Sequence, residues 1–392
     1  VASLTVSHQR PPPWRDERVL SALGQIVFAA VVAAVGAFLY GNVRAALQRQ
    51  GLVTGFDFMQ SPAGFNIGEG LAFEPSESYA RAFTVGVINT LRVVGLGIVL
   101  ATLLGLVAGV ARLSSNWLVA KIAAAYVEII RNTPVLLQLF FWFFAVILKL
   151  PNVRNSLSLP GSIYLNVRGI YIPWAIPTET FGTWRAVLIA GLMVAGLAWL
   201  GAAGWEQRTG RGGFAPLYAL AAFALIAVVG WFVLPAPPLT PDVPVLRGLN
   251  YRGGARISPE YAALLFGLVF YTGAFIAEIV RAGIQSVSKG QVEAARALGL
   301  RPLQVLRLVV FPQALRVIIP PLTSQYLNLA KNSSLAVAIG FPDLFSIGGT
   351  IFNQTGHALE IISLIMISYL TMSLTTSLLL NIYNRRVRLV ER

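Results

Sequence analysis

A chain of 392 residues that is 56% hydrophobic and 12% charged, with a mean hydropathy of +0.69, carries about half the charge of an average soluble domain and reads as a membrane protein. It has no cysteine and only two histidines, His8 and His357, which excludes a disulfide framework and speaks against a multi-histidine metal site or a Ser-His-Asp triad. The formal charge of +14 points to nucleic acid only until the positions of the charges are considered.

Apolar windows of the length a helix needs to cross the hydrocarbon recur near 20–40, 85–111, 122–148, 186–204, 215–234, 261–283, 314–340 and 359–383. No alternation of period two lasts through them, and helices satisfy their own backbone in lipid, so the expected fold is an all-α polytopic membrane protein with about eight transmembrane helices. The first window follows Arg10, Arg15 and Arg18 and ends in small residues, as a signal peptide would; it is read as a retained span because seven more follow. Residues 41–84 are rich in glycine and proline, carry Asp57, Glu69, Glu74 and Glu77, and are expected to pack on the outer face. Segment 149–185 holds Tyr164, Tyr171, Trp174 and Trp184, read as interfacial anchors. The fourth and fifth windows, joined by WEQRTGRGG, contain almost no polar groups and are expected to be peripheral. PAPPLTPDVP at 235–244 has too many fixed φ angles for helix and reads as an extended, polyproline-like linker.

With the N-terminus in the cytoplasm, the cytoplasmic stretches hold about seventeen of the 30 basic residues against five acids, while the opposite side is close to neutral. That is the positive-inside asymmetry; it puts both termini in the cytoplasm and makes nucleic acid unnecessary as a partner. Spans three, six and seven carry the polar groups that a uniformly lipid-facing helix would lack: Glu128, Arg131, Thr133 and Gln138, then Thr272 and Glu278, then Gln325, Asn328, Lys331, Asn332, Ser333 and Ser334. Such groups are costly in a membrane and mark a substrate path. The residues assigned to that path are Thr133, Gln138, Glu278, Asn328, Asn332 and Ser333, with a local ion pair to Arg281 as the competing role for Glu278 and interhelical hydrogen bonding for Asn332 and Ser333. GLVAG at 105–109 satisfies the small-xxx-small packing pattern.

Residues 288–313 interrupt the apolar windows with SKGQVEAARALGLRPLQVLRLVVFPQ. Ser288 and Gln291 have the spacing of a capping box, and Glu293 suits the first turn of a helix. Gly299 supplies a stop at positive φ, Pro302 opens a second helix and Pro312 ends it, with Leu303, Leu306 and Val310 on one face. The expected unit is helix, glycine hinge, helix, lying on the cytoplasmic side of the membrane, where an amphipathic element that merely rests in the headgroups is the competing reading.

Glu293-Ala294-Ala295, three residues, Gly299, nine residues and then Val309-Val310-Phe311-Pro312 resembles the EAA loop of ABC importer permeases. Val309 and Phe311 are conservative exchanges within that pattern. YVEIIRNTPVLLQLFF (126–141), AEIVRAGIQSVSKGQ (277–291) and PQALRVIIPPLTSQYLNLAKNSSLA (312–336) are similar to the polar amino-acid branch of those permeases. The resemblance implies a type I importer core, with an extra N-terminal helix and a two-helix insert. It divides the chain into 1–84, 85–150, the insert 151–260, and 261–392 with the loop at 288–313. It further implies that Glu293, Ala294, Ala295 and Gly299 couple the chain to an ABC ATPase dimer in the inner membrane, beside a second homologous permease subunit and a periplasmic amino-acid-binding protein. No GxxxxGK[ST] stretch occurs, so ATP and Mg are expected on the ATPase and no cofactor or catalysis on this chain. The rival is an ion-gradient-driven transporter in which Glu278 or Glu128 carries a proton opposite Lys331.

Overall fold

The structure is a computed structural model describing residues 17–49, 55–209 and 214–387. His8, Arg10, Arg15, Arg211, Arg388 and Arg392 lie outside the described residues. Among the described residues seven helices are long and apolar enough to cross a membrane, eight if a helix pair bent by 109° is counted as one span.

Helix α1 (Glu17–Arg49) leaves its apolar window fully exposed. Residues 55–78 then pack Ala63, Ile67 and Phe73 against a later part of the chain. Helix α2 (Tyr79–Ala111) begins six residues before the expected window because Ser78 caps it, its hydroxyl accepting from the Arg81 N–H.

The third window, 122–148, is a broken span rather than one helix. α3 (Trp117–Arg131) stops at Asn132-Thr133-Pro134 and α4 (Val135–Phe140) leaves at 109°, extended by a π-turn and a 3₁₀ turn to Lys149. Pro134 has no N–H to continue the ladder and disfavours helical backbone at the residue before it.

Between this span and the next lies a part of the fold that the sequence reading lacks. Strands β1 (Leu157–Leu159), β2 (Ile163–Asn166), β3 (Gly169–Ile172) and β4 (Trp174–Pro177) precede the helical hairpin α5 (Phe181–Thr209) and α6 (Ala215–Val233), and β5 (Leu239–Asp242), β6 (Val245–Arg247), β7 (Asn250–Arg252) and β8 (Ala255–Ile257) follow it. They form an antiparallel sheet of order β1-β2-β3-β8 and two pairs, β4-β5 and β6-β7. Within the segment 235–244, Leu239–Asp242 is a paired strand rather than part of a polyproline-like linker: Pro241 lies opposite Ala175 in a two-strand pair, where a missing N–H is tolerated. Tyr164 and Tyr171 sit on the sheet beside Tyr251, with ring centroids 4.5 and 5.1 Å from it. α5 and α6 pack on each other and expose most of their surface.

Ser258 ends β8 and caps α7 (Pro259–Gln285), its hydroxyl accepting from the Tyr261 N–H with Pro259 in the first turn. α7 is the most buried span, 67% of its apolar window being enclosed, and α2, α3, α4 and a later helix surround it. Close approach to α2 depends on GLVAG: a Cβ on Gly105 would stand 2.5 Å from the Ile276 Cβ and one on Gly109 2.7 Å from the Ala277 carbonyl oxygen. The chain continues through α8 (Lys289–Ala297), α9 (Pro302–Val305), a π-turn at Leu306–Val310, α10 (Phe311–Asn332), a 3₁₀ stretch at Ser333–Ile339, α11 (Leu344–Thr355) and α12 (Ala358–Val387). One core surrounds Leu264, Leu268 and Ile276 of α7 with Val93, Leu139, Leu329 and Phe341. A second joins residues 55–78 to α2, α11 and α12 through Phe83, Leu344, Ile347 and Ile361.

Candidate functional site

The loop after α7 is a folded unit with a small core of its own: Ala295, Val305 and Val310, packed by Ile284 and Val287 at the end of α7 and by Val292, Leu300 and Val309. Gly299 has φ +79. Its N–H donates to the Arg296 carbonyl at 2.9 Å and the Leu300 N–H donates to the Ala295 carbonyl at 3.2 Å, the paired bonds of a Schellman motif with Leu300 folded back onto Ala295.

Three details differ from the sequence reading. The Ser288 hydroxyl caps nothing; the Gln291 side chain instead accepts from Gln313 Nε2 at 2.6 Å, tying α8 to the start of α10. Pro312 does not end the second helix, because the π-turn before it removes the regular ladder that a proline would break, and the chain runs on as α10. The same turn changes the buried face: Val305 and Val310, five apart, are inside, while Leu303 is 75% exposed. Ala295 is 4% exposed and packs in the core of the loop, where it also forms part of the floor of a surface groove. Glu293, Ala294 and Gly299 are on the surface, beside a shallow groove lined by Ser288, Gln291, Ala294 and Leu298. Leu298, 82% exposed, was not singled out from sequence; an apolar residue at a helix C-cap with nothing of its own chain to cover it was the available signal.

Glu278 stands two turns before this loop, about 9 Å along α7 from Ile284. Its carboxylate receives Arg112 from the end of α2 and Arg281 from its own helix, Arg281 Nε at 3.2 Å, and Arg131 from the end of α3 lies 3.9 Å away. Arg281 also reaches Gln285, and Arg131 lies over the Phe275 ring. One carboxylate thus ties the ends of three spans together. This is the ion-pair role, and it exceeds the single pair read from the sequence because only the fold brings Arg112 and Arg131 to α7.

The other assigned path residues separate into two groups. Gln138 is 5% exposed and spends its amide donors on the carbonyls of Ile130 and Thr133, both at 2.9 Å, while the Thr133 hydroxyl donates to the Ile129 carbonyl; both satisfy the backbone freed by the bend at Pro134. Ser333 is fully buried and donates to the Ala330 carbonyl. The donors of these three go to the protein's own backbone, while the Oε1 of Gln138 is buried without a hydrogen-bond partner. Asn328 is exposed and Asn332 partly so, one turn apart on α10. Lys331, also exposed, lies at the rim of an apolar cleft of about 630 Å³ between α10 and α12. Glu128 is exposed on α3.

Asp343 was not singled out either. It is fully buried, caps α11 by accepting from the Ser346 N–H at 2.8 Å and accepts from the Tyr369 hydroxyl at 3.2 Å. Next to it Thr90 accepts from the Leu344 N–H, and Asn89 donates to the Pro342 carbonyl. Its place after Gly340-Phe341-Pro342 and before an apolar run is a cap signature.

Residues 101–389 match the family described as binding-protein-dependent transport system inner membrane component. The chain is 48% identical over 383 residues to the putative amino-acid ABC transporter permease protein YhdX of Escherichia coli, covering 97% of each chain. It is 46% identical over 381 residues to the general L-amino acid transport system permease protein AapQ of Rhizobium johnstonii, covering 96% of this chain and 94% of that one. It is 36% identical over 432 residues to the glutamate/glutamine/aspartate/asparagine transport system permease protein BztB of Rhodobacter capsulatus, covering 96% of each.

Proposed function

The chain belongs to the family of inner-membrane components of binding-protein-dependent transport systems, and from that premise we propose that it is the membrane-spanning permease subunit of an ATP-driven amino-acid importer. Its partners are then a second homologous permease subunit, an ABC ATPase dimer that holds ATP and Mg, and a periplasmic amino-acid-binding protein; its place is the bacterial inner membrane, with both termini cytoplasmic. The observation that carries the coupling role is the α8–Gly299–α9 unit. It presents Leu298 and Ala294 outward and is welded by Ile284 and Val287 to α7, the span around which the core is built. A push on the unit reaches α2 and α3 through Glu278, a continuous packed and ion-paired route. The ion-gradient alternative gives this unit no work, and of its two candidate proton carriers, Glu278 and Glu128, the first is engaged by three arginines.

Gentle purification of the tagged chain, with identification of companions by mass and uptake measured in the resulting proteoliposomes, tests this reading. An ATPase should co-purify and uptake should require ATP; uptake abolished by a protonophore and indifferent to ATP would overturn it. Orientation is tested separately: since the chain has no cysteine, Lys289→Cys is expected to resist an impermeant thiol reagent in intact cells and to react in inverted vesicles, and labelling from outside would refute the topology.

The path is assigned to the open face of α10. A zwitterionic solute loses hydration in a membrane cavity, and neutral amides replace those hydrogen bonds without an unbalanced charge. Asn332→Leu is expected to lower uptake of several chemically different amino acids together, by about tenfold for each 1.4 kcal/mol lost, with the ATPase still bound. Unchanged uptake would make Asn332 a packing residue.

A further inference from the structure

The β-lobe inserted between α4 and α7 has no part in the account so far. Residues 154–177 and 239–258 contain five arginines, Arg154, Arg168, Arg247, Arg252 and Arg256, and one carboxylate, Asp242. Asp242 is turned inward, accepting from the Gly254 N–H at 2.7 Å, and among the described residues none of the five arginines forms an ion pair.

Two of them are held in place by neutral groups. Arg168 leaves the β2–β3 turn, where its N–H donates to the Oδ1 of the fully buried Asn166, and its Nη1 donates to the Leu249 carbonyl and to Asn250 Oδ1. Arg256 on β8 donates through Nε to the Arg168 carbonyl at 3.1 Å. Both guanidinium groups keep donors facing a cleft of about 560 Å³, whose other walls include Tyr171, Asn250 and Tyr251. Tyr251 is braced between the rings of Tyr164 and Tyr171. Two pre-positioned planar forks without a counter-charge fit a carboxylate.

The geometry points to this cleft as the seat of an acidic side chain on a protein that docks on the lobe. A free solute fits less well. The arginines are exposed, so their charge contacts are weak, and the walls are polar where small-molecule sites are mostly apolar. The apolar surface that would add affinity lies outside the cleft, on the β6–β7 hairpin, where Val245, Leu246 and Leu249 are 53%, 40% and 62% exposed. Arginine and tyrosine at the centre with apolar neighbours is the composition of a protein-docking hot spot. The lobe and the α8 loop sit at opposite ends of α7, about 40 Å apart at 1.5 Å per residue. On the transport reading, on which this inference rests, the docking protein is therefore the solute-binding partner and the arginine cleft is its acidic contact.

The test uses the assembled transporter in lipid nanodiscs and the purified amino-acid-binding protein of the same system, with affinity measured by interferometry at low and high salt. R168Q/R256Q is expected to raise Kd at least tenfold and flatten the salt dependence, with the ATPase still bound. R168K/R256K, which keeps the charge and loses the fork, should fall between it and wild type. An unchanged Kd in R168Q/R256Q overturns the inference. So does an unchanged Kd combined with loss of glutarate binding or of adhesion to anionic vesicles, since the site would then serve a free carboxylate or a headgroup-bearing surface. A wild-type assembly that holds an ATPase but binds no such protein overturns this inference and removes the binding protein from the proposed partners while ATP-driven transport stands, whereas one that holds no ATPase overturns the transport reading.

Discussion

Replacing Glu278 with alanine is expected to abolish transport and to lower the thermal stability of the purified assembly, the largest single-residue effect in the chain. Breaking a buried ion pair from one side costs about 3–5 kcal/mol because the other charge stays behind. Here three arginines stay behind, Arg112, Arg281 and Arg131, with side chains 15%, 28% and 40% exposed. The Glu278 side chain is itself 25% exposed and Arg131 40%, so water screens much of the repulsion and the cost falls below that range, to about 2 kcal/mol, enough to reduce the correctly packed population by about thirtyfold. The measurement is a melting curve of the detergent-purified complex beside uptake kinetics. A clamp and a substrate contact separate cleanly. As a clamp, Glu278→Gln lowers the melting temperature and leaves the apparent KM of the remaining activity unchanged, and adding Arg112→Ala to Glu278→Ala recovers part of the loss by removing excess positive charge, a coupling that a double-mutant cycle reads. A Glu278→Gln protein of normal stability with a raised KM would return Glu278 to the path.

The clamp also shows which parts of this molecule could be read in advance. The spans could, because their signal is local composition: a window of apolar residues means the same thing wherever the chain goes. The hinge could too, since Gly299 and Pro302 state their backbone geometry in their own chemistry, and Gly299 does take positive φ. The Glu278 cluster could be read only as its i,i+3 half, Arg281, because Arg112 lies 166 residues away and arrives through the close packing of α2 on α7. The strands of the lobe were illegible for a different reason. At three or four residues each they are too short to show a period of two, and two of the pairings, β3 with β8 and β4 with β5, cross the helical hairpin. Gln138, Thr133 and Ser333 donate to nearby backbone carbonyls, a use of polar groups that the sequence alone does not display. A polar group in a span must find a partner, and where a proline or a 3₁₀ turn frees a carbonyl, the backbone next door supplies one.

Gly299→Val is expected to leave the chain in the membrane, folded and associated, but to cut ATP-driven uptake by at least tenfold. A Cβ at this position meets nothing within 4 Å, so no packing is lost and the whole effect is conformational. Left-handed backbone costs an ordinary residue about 1–2 kcal/mol, and a β-branched one is a true outlier there. To escape positive φ the chain must give up the bonds from Gly299 to Arg296 and from Leu300 to Ala295, which set the angle between α8 and α9 and turn Leu298 outward. The small core of Ala295, Val305 and Val310 then loosens where, on the proposed coupling role, movement of the ATPase would enter α7. Gly299→Asn, which tolerates left-handed backbone, should keep most of the activity, and Gly299→Ala should lie between the two. Uptake and ATP hydrolysis measured on the same proteoliposomes make the distinction: hydrolysis that persists while uptake falls in the order Gly, Asn, Ala, Val locates the coupling at this turn. Full uptake by Gly299→Val would show that the geometry of the turn carries none of it.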